Sequence, residues 1–110
     1  MTPEGELKKE IKALLNERGA FWSMIPGGAY AKTGDPDMVV CYRGQYVAIE
    51  AKTIDGVQSN WQKMREVEVR RAGGLYVLAR SVLDVTAALD GLDSFLDMQR
   101  ERILRGEAVN

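Results

Sequence analysis

The chain has 110 residues, enough for one domain, and its formal net charge is −1. Hydrophobic residues make up 45% of the chain, which suffices for a compact core, and charged residues make up 28%, which argues against a membrane protein. No apolar stretch approaches the roughly 20 residues needed to cross a bilayer. The acidic, helical start of the chain predicts no signal peptide.

The residue inventory restricts the chemistry that the chain can perform. It contains no histidine and a single cysteine, Cys41. This excludes Ser-His-Asp and Cys-His hydrolases, HNH-type nucleases and zinc sites built from histidine or a thiolate cluster. The lone cysteine suits a reducing cytoplasm, and we interpret it as a small core residue. Acid–base chemistry must then come from carboxylates and lysines, with a hard cation that prefers oxygen ligands.

Capping, turn and alternation signals divide the chain into helices and strands. Thr2 and Pro3 suit the start of a first helix and Gly19 its end, while Ser59 caps a second helix. The expected elements are a helix over residues 2–18, a short strand over 21–25, a glycine-rich loop over 26–34, paired strands over 38–42 and 45–52, a helix over 60–72, a strand over 75–79, a helix from residue 81 and a last helix over 94–105. This order predicts an α/β fold in which helices flank a mixed central β-sheet. We expect one domain over 1–110, with its core over residues 1–90.

A two-residue turn at residues 43–44 sets the register of the paired strands. With that turn, Asp37 faces Glu50 across the ladder, where opposed Cβ atoms are about 4.5–5.5 Å apart and like charges repel. Lys52 lies two residues beyond Glu50 and shares its face. Such a carboxylate pair makes sense if a cation lies between its members. Both faces of these strands are mostly apolar, which predicts a sheet that is buried on both sides and holds the site rigidly.

The first helix carries one carboxylate in an unexpected position. Leu7, Ile11, Leu14 and Leu15 form an apolar stripe, and Glu4 falls within it. A carboxylate aimed at the core side suggests a function. A first-turn acid that favours the helix dipole at an exposed end explains the position equally well.

An E-x-K triplet alone is too common to indicate a function. This one lies at the end of an apolar strand and follows G-D-P-D, and that position makes it an informative sign of an active site. The motifs G-D-P-D-M-V-V and Y-V-A-I-E-A-K resemble those of the virus-type replication-repair nuclease (VRR-NUC) family, a branch of the PD-(D/E)XK superfamily. The resemblance extends over residues 2–78, from T-P-E-G-E-L-K-K to A-G-G-L-Y-V-L, and includes S-N-W-Q at the start of the second helix.

The resemblance implies a restriction-endonuclease-like core and a metal-dependent DNA endonuclease. The implied active-site residues are Glu4, Asp37, Glu50, Lys52 and Gln62. Asp37 and Glu50 are expected to hold Mg²⁺ or Mn²⁺ with the Ala51 backbone carbonyl, while Lys52 orients or deprotonates the attacking water. Glu4 is expected to hold that water or a second ion. The resemblance further implies 5′-phosphate and 3′-hydroxyl products and a homodimer acting on branched DNA such as four-way junctions. Such a protein would work in the cytoplasm of a bacterium or a phage-infected cell.

Two of the candidate residues have a second interpretation. Gln62 completes a capping box with Ser59, so a capping role and an active-site role are equally open. Asp35 suits a further metal ligand, but we interpret it as a residue of an exposed turn.

Basic residues between positions 63 and 80 are the candidate contacts to nucleic acid. We expect DNA contacts from Lys63, Arg65, Arg70 and Arg71, although a solvated helix face of mixed charge gives the same pattern. The apolar residues over 94–104 make the last helix a candidate dimer element, unless it packs on its own domain. Two other functions compete: a non-catalytic nucleic-acid-binding or assembly module with this fold, and a restriction-type nuclease. The short chain leaves the latter little room for a recognition subdomain.

Overall fold

The computed structural model describes residues 1–27 and 33–107. The described chain forms three helices and four strands: α1 (Pro3–Glu17), β1 (Phe21–Met24), β2 (Met38–Tyr42), β3 (Gln45–Ala51), α2 (Asn60–Arg71), β4 (Leu75–Ala79) and α3 (Val82–Leu104). The strands form one sheet in the order β1-β2-β3-β4, with antiparallel pairs up to β3 and a parallel β3–β4 pair. The predicted mixed sheet with flanking helices is confirmed. Part of the expected glycine-rich loop, residues 28–32, lies outside the described residues.

The β2–β3 hairpin has the register expected from its turn. Arg43 and Gly44 have φ values of 51° and 81°, the left-handed pair that a type I′ turn requires. Tyr42 therefore pairs with Gln45, and the ladder runs to the Met38–Ile49 pair. One step further along this ladder, Asp37 and Glu50 lie opposite each other.

The two faces of the sheet differ in burial. Helices α1 and α3 cover one face, where the core cluster contains Leu7, Ile11, Leu15, Met38, Val40, Tyr42, Val47, Ile49, Ala51, Val77, Ala79, Val85 and Leu89. On the other face α2 packs on β4 and leaves the hairpin tip open, so that Cys41 is exposed and Tyr46 is 49% exposed. The predictions of a sheet buried on both sides and of Cys41 as a core residue were therefore wrong. One helix of 12 residues is too small to cover the β1–β2 side as well.

Helix α3 is continuous over 23 residues, so the prediction of two separate helices from residues 81 and 94 was wrong. Gly91 in the helix interior costs only about 1 kcal/mol relative to alanine. At the expected break, the Asp93 carboxylate accepts hydrogen bonds from Tyr42 Oη at 2.9 Å and from Arg43 Nη1 at 2.9 Å. These contacts tie the helix to the hairpin at the position of its weakest local signal.

Among the described residues, no helix combines the length and the apolar character that crossing a bilayer requires.

Candidate active site

Asp37 lies directly before β2 and is held through both of its carboxylate oxygens. Its Oδ2 accepts a hydrogen bond of 2.8 Å from the Ala51 backbone N–H, across the hairpin. Its Oδ1 lies 3.3 Å from Nζ of Lys8, which extends from α1. The Asp37 side chain is 20% exposed, so it can still be reached from solvent. The hairpin register thus fixes one oxygen of this carboxylate, and a helix residue far away in the chain reaches the other.

Glu50, in the interior of β3, is a buried carboxylate with only 3% of its surface exposed. Its Oε1 accepts a hydrogen bond of 2.8 Å from Gln62 Nε2 and lies 3.7 Å from Nζ of Lys52. Its Oε2 is buried and has no hydrogen-bond partner among the described residues. Burial, followed by the negative charge of Asp37, raises the pKa of Glu50 from 4.5 to about 7, against the opposing effect of Lys52.

Lys52 directly follows β3, on the same face as Glu50, and its backbone is tied to the neighbouring strand. Its N–H donates to the Ala79 carbonyl at 2.9 Å, which continues the parallel pairing by one step. The next residue along β4's direction, Arg80, donates from Nη1 to the carbonyls of Thr53 and Gly56, both at 2.7 Å. Arg80 therefore clamps the loop that leaves the site after Lys52.

Gln62 makes a contact that fits each of the two interpretations that its sequence pattern left open. Its Oε1 accepts from the Ser59 backbone N–H at 2.9 Å, and its own N–H donates to Ser59 Oγ at 3.1 Å, which completes the capping box. The amide nitrogen at the other side of the same group donates to Glu50. A side-chain amide has both an acceptor and a donor end, so the two roles do not exclude each other. The cap of α2 thereby orients a hydrogen-bond donor into the site.

Gly34 brings the Asp35–Asp37 segment against the start of α2. Its φ is +85°, and a Cβ at this position would lie 2.5 Å from the backbone carbonyl atoms of Trp61. Only glycine tolerates both the left-handed conformation and this approach. The contact places Asp37 and Gln62 on the walls of one polar cleft of about 390 Å³, which Lys8, Asp35 and Ser59 also line.

Glu4 and Asp35 are the remaining carboxylates near the cleft. Glu4 is half-buried in the first turn of α1, and its negative charge contributes to the raised pKa of Glu50. Asp35 is half-buried too, with Oδ1 at 3.6 Å from Nε of Arg65 on α2. The charge of Glu4 thus reaches Glu50, whereas Asp35 pairs with a helix residue.

Comparison with known proteins supports the fold. No protein-family model matches the chain, and no curated protein matches it in sequence. A solved structure described as a VRR_NUC domain matches with a TM-score of 0.71 and 21% identity, over 82% of this chain and 97% of that one. The chain has the VRR_NUC fold. The resemblance inferred from the motifs is confirmed at the level of the fold.

Within this VRR_NUC fold, the residues present fit a hard divalent cation. No group of three or more His, Cys, Asp or Glu side chains among the described residues is placed to hold a metal ion. Mg²⁺, however, commonly keeps several water ligands and is held by one or two carboxylates. Asp37 and Glu50 supply two, and the partnerless Oε2 of Glu50 is an acceptor whose burial is costly without a cation or donor.

The basic residues of the VRR_NUC fold that were expected to contact DNA are not equally available. Arg65 is paired with Glu68 and Asp35, and Arg70 with Glu66 at 2.9 Å. Lys63 and Arg71 are exposed and have no ion pair with any other described residue. The sequence predicted all four basic residues as DNA contacts and did not separate the paired from the unpaired ones. The acidic partners lie on neighbouring turns of α2 and in a loop that is distant in sequence.

Lys8 is the residue of the site that sequence analysis missed. Its signal was present in the spacing, since Lys8 follows Glu4 by one helical turn and so shares its face. A lysine beside an apolar stripe is nevertheless the ordinary composition of an amphipathic helix. Only the tertiary structure shows that its ammonium reaches Asp37.

Proposed function

We propose that the protein is a metal-dependent DNA endonuclease that hydrolyses phosphodiester bonds. The observation that carries the proposal is the convergence of Asp37, Glu50 and Lys52 at one end of the hairpin, in a fold shared with a VRR_NUC domain. Two acceptor groups and a lysine are a sufficient set for phosphodiester hydrolysis in a chain without histidine.

Asp37, Glu50 and the Ala51 backbone carbonyl are the proposed ligands of Mg²⁺ or Mn²⁺. When bound, such a cation polarises the scissile phosphate and lowers the pKa of a coordinated water. The Ala51 N–H holds Asp37 in position through its bond to Oδ2. The Gln62 amide does the same for Glu50 and leaves Oε2 of that carboxylate for the cation.

Lys52 is the proposed catalytic lysine. Its ammonium lies 3.7 Å from Oε1 of Glu50 and is 20% exposed, so it borders the site and still meets solvent. From there it orients or deprotonates the attacking water and stabilises negative charge on the phosphate in the transition state. Glu4, in the first turn of α1, is proposed to hold that water or a second ion. The expected products carry a 5′-phosphate and a 3′-hydroxyl.

Branched DNA, such as a four-way junction, is the proposed substrate, and a two-fold dimer the proposed assembly. A symmetric dimer presents two sites, which suits paired cuts in opposing strands. The exposed Lys63 and Arg71 on α2 are available for phosphate contacts.

The test is a cleavage assay with duplex, flap, splayed and four-way-junction DNA, each with Mg²⁺, Mn²⁺ or EDTA. We expect cleavage with either cation and none in EDTA. The variant Lys52→Ala should lose cleavage while keeping its fold and its binding of Mn²⁺ and DNA, because it removes a catalytic group and no metal ligand. DNA binding without cleavage under every condition would instead identify a non-catalytic binding module.

A further inference from the structure

Lys8 occupies the oxygen of Asp37 that the hairpin leaves free. The Asp37 Oδ2 is already engaged by the Ala51 N–H at 2.8 Å, so Oδ1 is the atom available to a new partner. In the structure that atom lies 3.3 Å from Nζ of Lys8. The ammonium borders the polar cleft and is 27% exposed.

This contact offsets the repulsion between the two carboxylates. Asp37 and Glu50 face each other, and the negative charge of Asp37 opposes the ionisation of Glu50. The positive charge of Lys8 reaches both groups, since it pairs with Asp37 and lowers the pKa of Glu50. Without a divalent cation, the positive charge of Lys8 thus reduces the electrostatic cost of holding two carboxylates close together in the folded protein.

We propose that Lys8 is a resident counter-ion of the cation site, which holds Oδ1 of Asp37 in the metal-free protein and competes with a divalent cation for it. The inference rests on the proposed function, because it takes Asp37 as a ligand of the cation. It assigns Lys8 a positioning role, which keeps Asp37 in place and sets the cation concentration at which the site fills.

The helix allows Lys8 to give up this contact. Leu7 and Ile11 are buried and fix α1 on the sheet, while the lysine ammonium moves on a flexible four-carbon stem. Glu4 precedes Lys8 by four residues, the spacing and order at which a Glu–Lys pair is favourable on a helix. Displaced from Asp37, the ammonium therefore has a second carboxylate within reach on its own helix.

The test is the affinity for Mn²⁺ alone, measured by calorimetry without DNA, in wild type, Lys8→Met and Lys9→Met. We expect Lys8→Met to lower the Kd for Mn²⁺ about fivefold, the factor that corresponds to an ion pair worth about 1 kcal/mol. Lys9→Met removes an exposed charge from the next position and should leave the Kd within a factor of about two.

Thermal unfolding gives a second measurement that does not depend on activity. In EDTA, Lys8→Met should melt below wild type, because the two carboxylates have lost their counter-ion. At saturating Mn²⁺ the two proteins should melt together. In an Asp37→Asn background, the difference between lysine and methionine at position 8 should shrink to the part that Lys8 exerts on Glu50 alone.

Equal Mn²⁺ affinities for wild type and Lys8→Met would overturn the inference, as would the absence of Mn²⁺ binding to both. A fivefold shift in a protein that cuts no DNA would uphold the role of Lys8 and overturn the proposed function alone. The two failures are therefore distinguishable.

Discussion

Glu50 is a buried carboxylate whose surroundings oppose its ionisation, and this makes stability depend on pH. Its pKa is about 7 in the folded protein against 4.5 ordinarily. Between these values the unfolded chain has released the proton that the folded protein still holds, so the free energy of unfolding falls as pH rises from 4.5 to about 7. We expect a loss of about 3 kcal/mol from this group in EDTA.

Urea unfolding in EDTA across this pH range measures the effect. The chain has no histidine, so few other groups titrate in the upper part of this window, above the range of ordinary carboxylates. Glu50→Gln should flatten the profile, because the amide does not ionise in this pH range. The same slope in wild type and variant would show that Glu50 is not the group responsible.

Gln62 offers a way to separate helix capping from a role in the site. Gln62→Glu keeps an acceptor for the capping box but replaces the donor to Glu50 with a negative charge. We expect α2 to stay intact while cleavage falls about 10- to 100-fold, as for other residues that orient metal ligands. Circular dichroism and single-turnover cleavage measure the two effects.

Ser59→Ala is the matched control for this variant. It removes the hydroxyl that accepts from the Gln62 N–H and leaves the amide contact to Glu50. It should cost about 1 kcal/mol of stability and little activity. If both variants reduced cleavage equally, the effect would come from the helix end and not from the contact to Glu50.

At the level of elements, the approach of the Asp35–Asp37 segment to α2 depends on one glycine. Gly34→Ala would place a methyl group 2.5 Å from backbone atoms of Trp61 at a φ of +85°. We expect a loss of about 1–3 kcal/mol in stability and a weaker Mn²⁺ affinity, since Asp37 moves with the segment. Urea unfolding and calorimetry measure these changes.

Gly27→Ala tests the specificity of that effect. A Cβ at Gly27 would meet no atom of the described residues within 4 Å, and the residue precedes the same segment. This variant should keep both stability and Mn²⁺ affinity. Equal losses from the two alanines would mean that the close contact with Trp61 has no particular importance.

At the scale of the whole molecule, α3 extends an elongated body of 49 × 27 × 24 Å with apolar side chains exposed near its end. Met98 is 54% exposed and Ile103 is 62% exposed. Such a surface suits contact with a second copy of the chain. We expect a dimer in sedimentation at micromolar concentration, and a monomer for Met98→Glu.

Leu83→Glu is the matched control, because Leu83 is 70% exposed at the opposite end of the same helix. It should leave the dimer intact.

We further expect affinity for junction DNA to exceed that for duplex and to fall steeply with salt, as phosphate contacts require. A wild-type monomer with equal cleavage of junction and duplex DNA would contradict the proposed assembly and substrate.

The sequence by itself determined the features that depend on residues close to one another along the chain. The turn at Arg43-Gly44 and the alternation of the strands set the register that opposes Asp37 and Glu50, and the spacing from Ser59 to Gln62 set the cap of α2. Each depends on residues within a few positions along the chain, where turn geometry and hydrogen-bonding patterns leave little choice. The fold class and the candidate site follow from these pieces.

Tertiary structure alone decided which side chains from distant elements meet. The contact of Lys8 with Asp37 joins residues that are remote in sequence, and the pattern of α1 places this lysine one turn after Glu4 without showing which carboxylate it reaches. The exposure of Cys41 depends on how much of the sheet α2 covers. The continuity of α3 depends on the hydrogen bonds that Tyr42 and Arg43 donate to Asp93. Local propensities at these positions differ by about 1 kcal/mol or less, so packing and ion pairs between elements outweigh them.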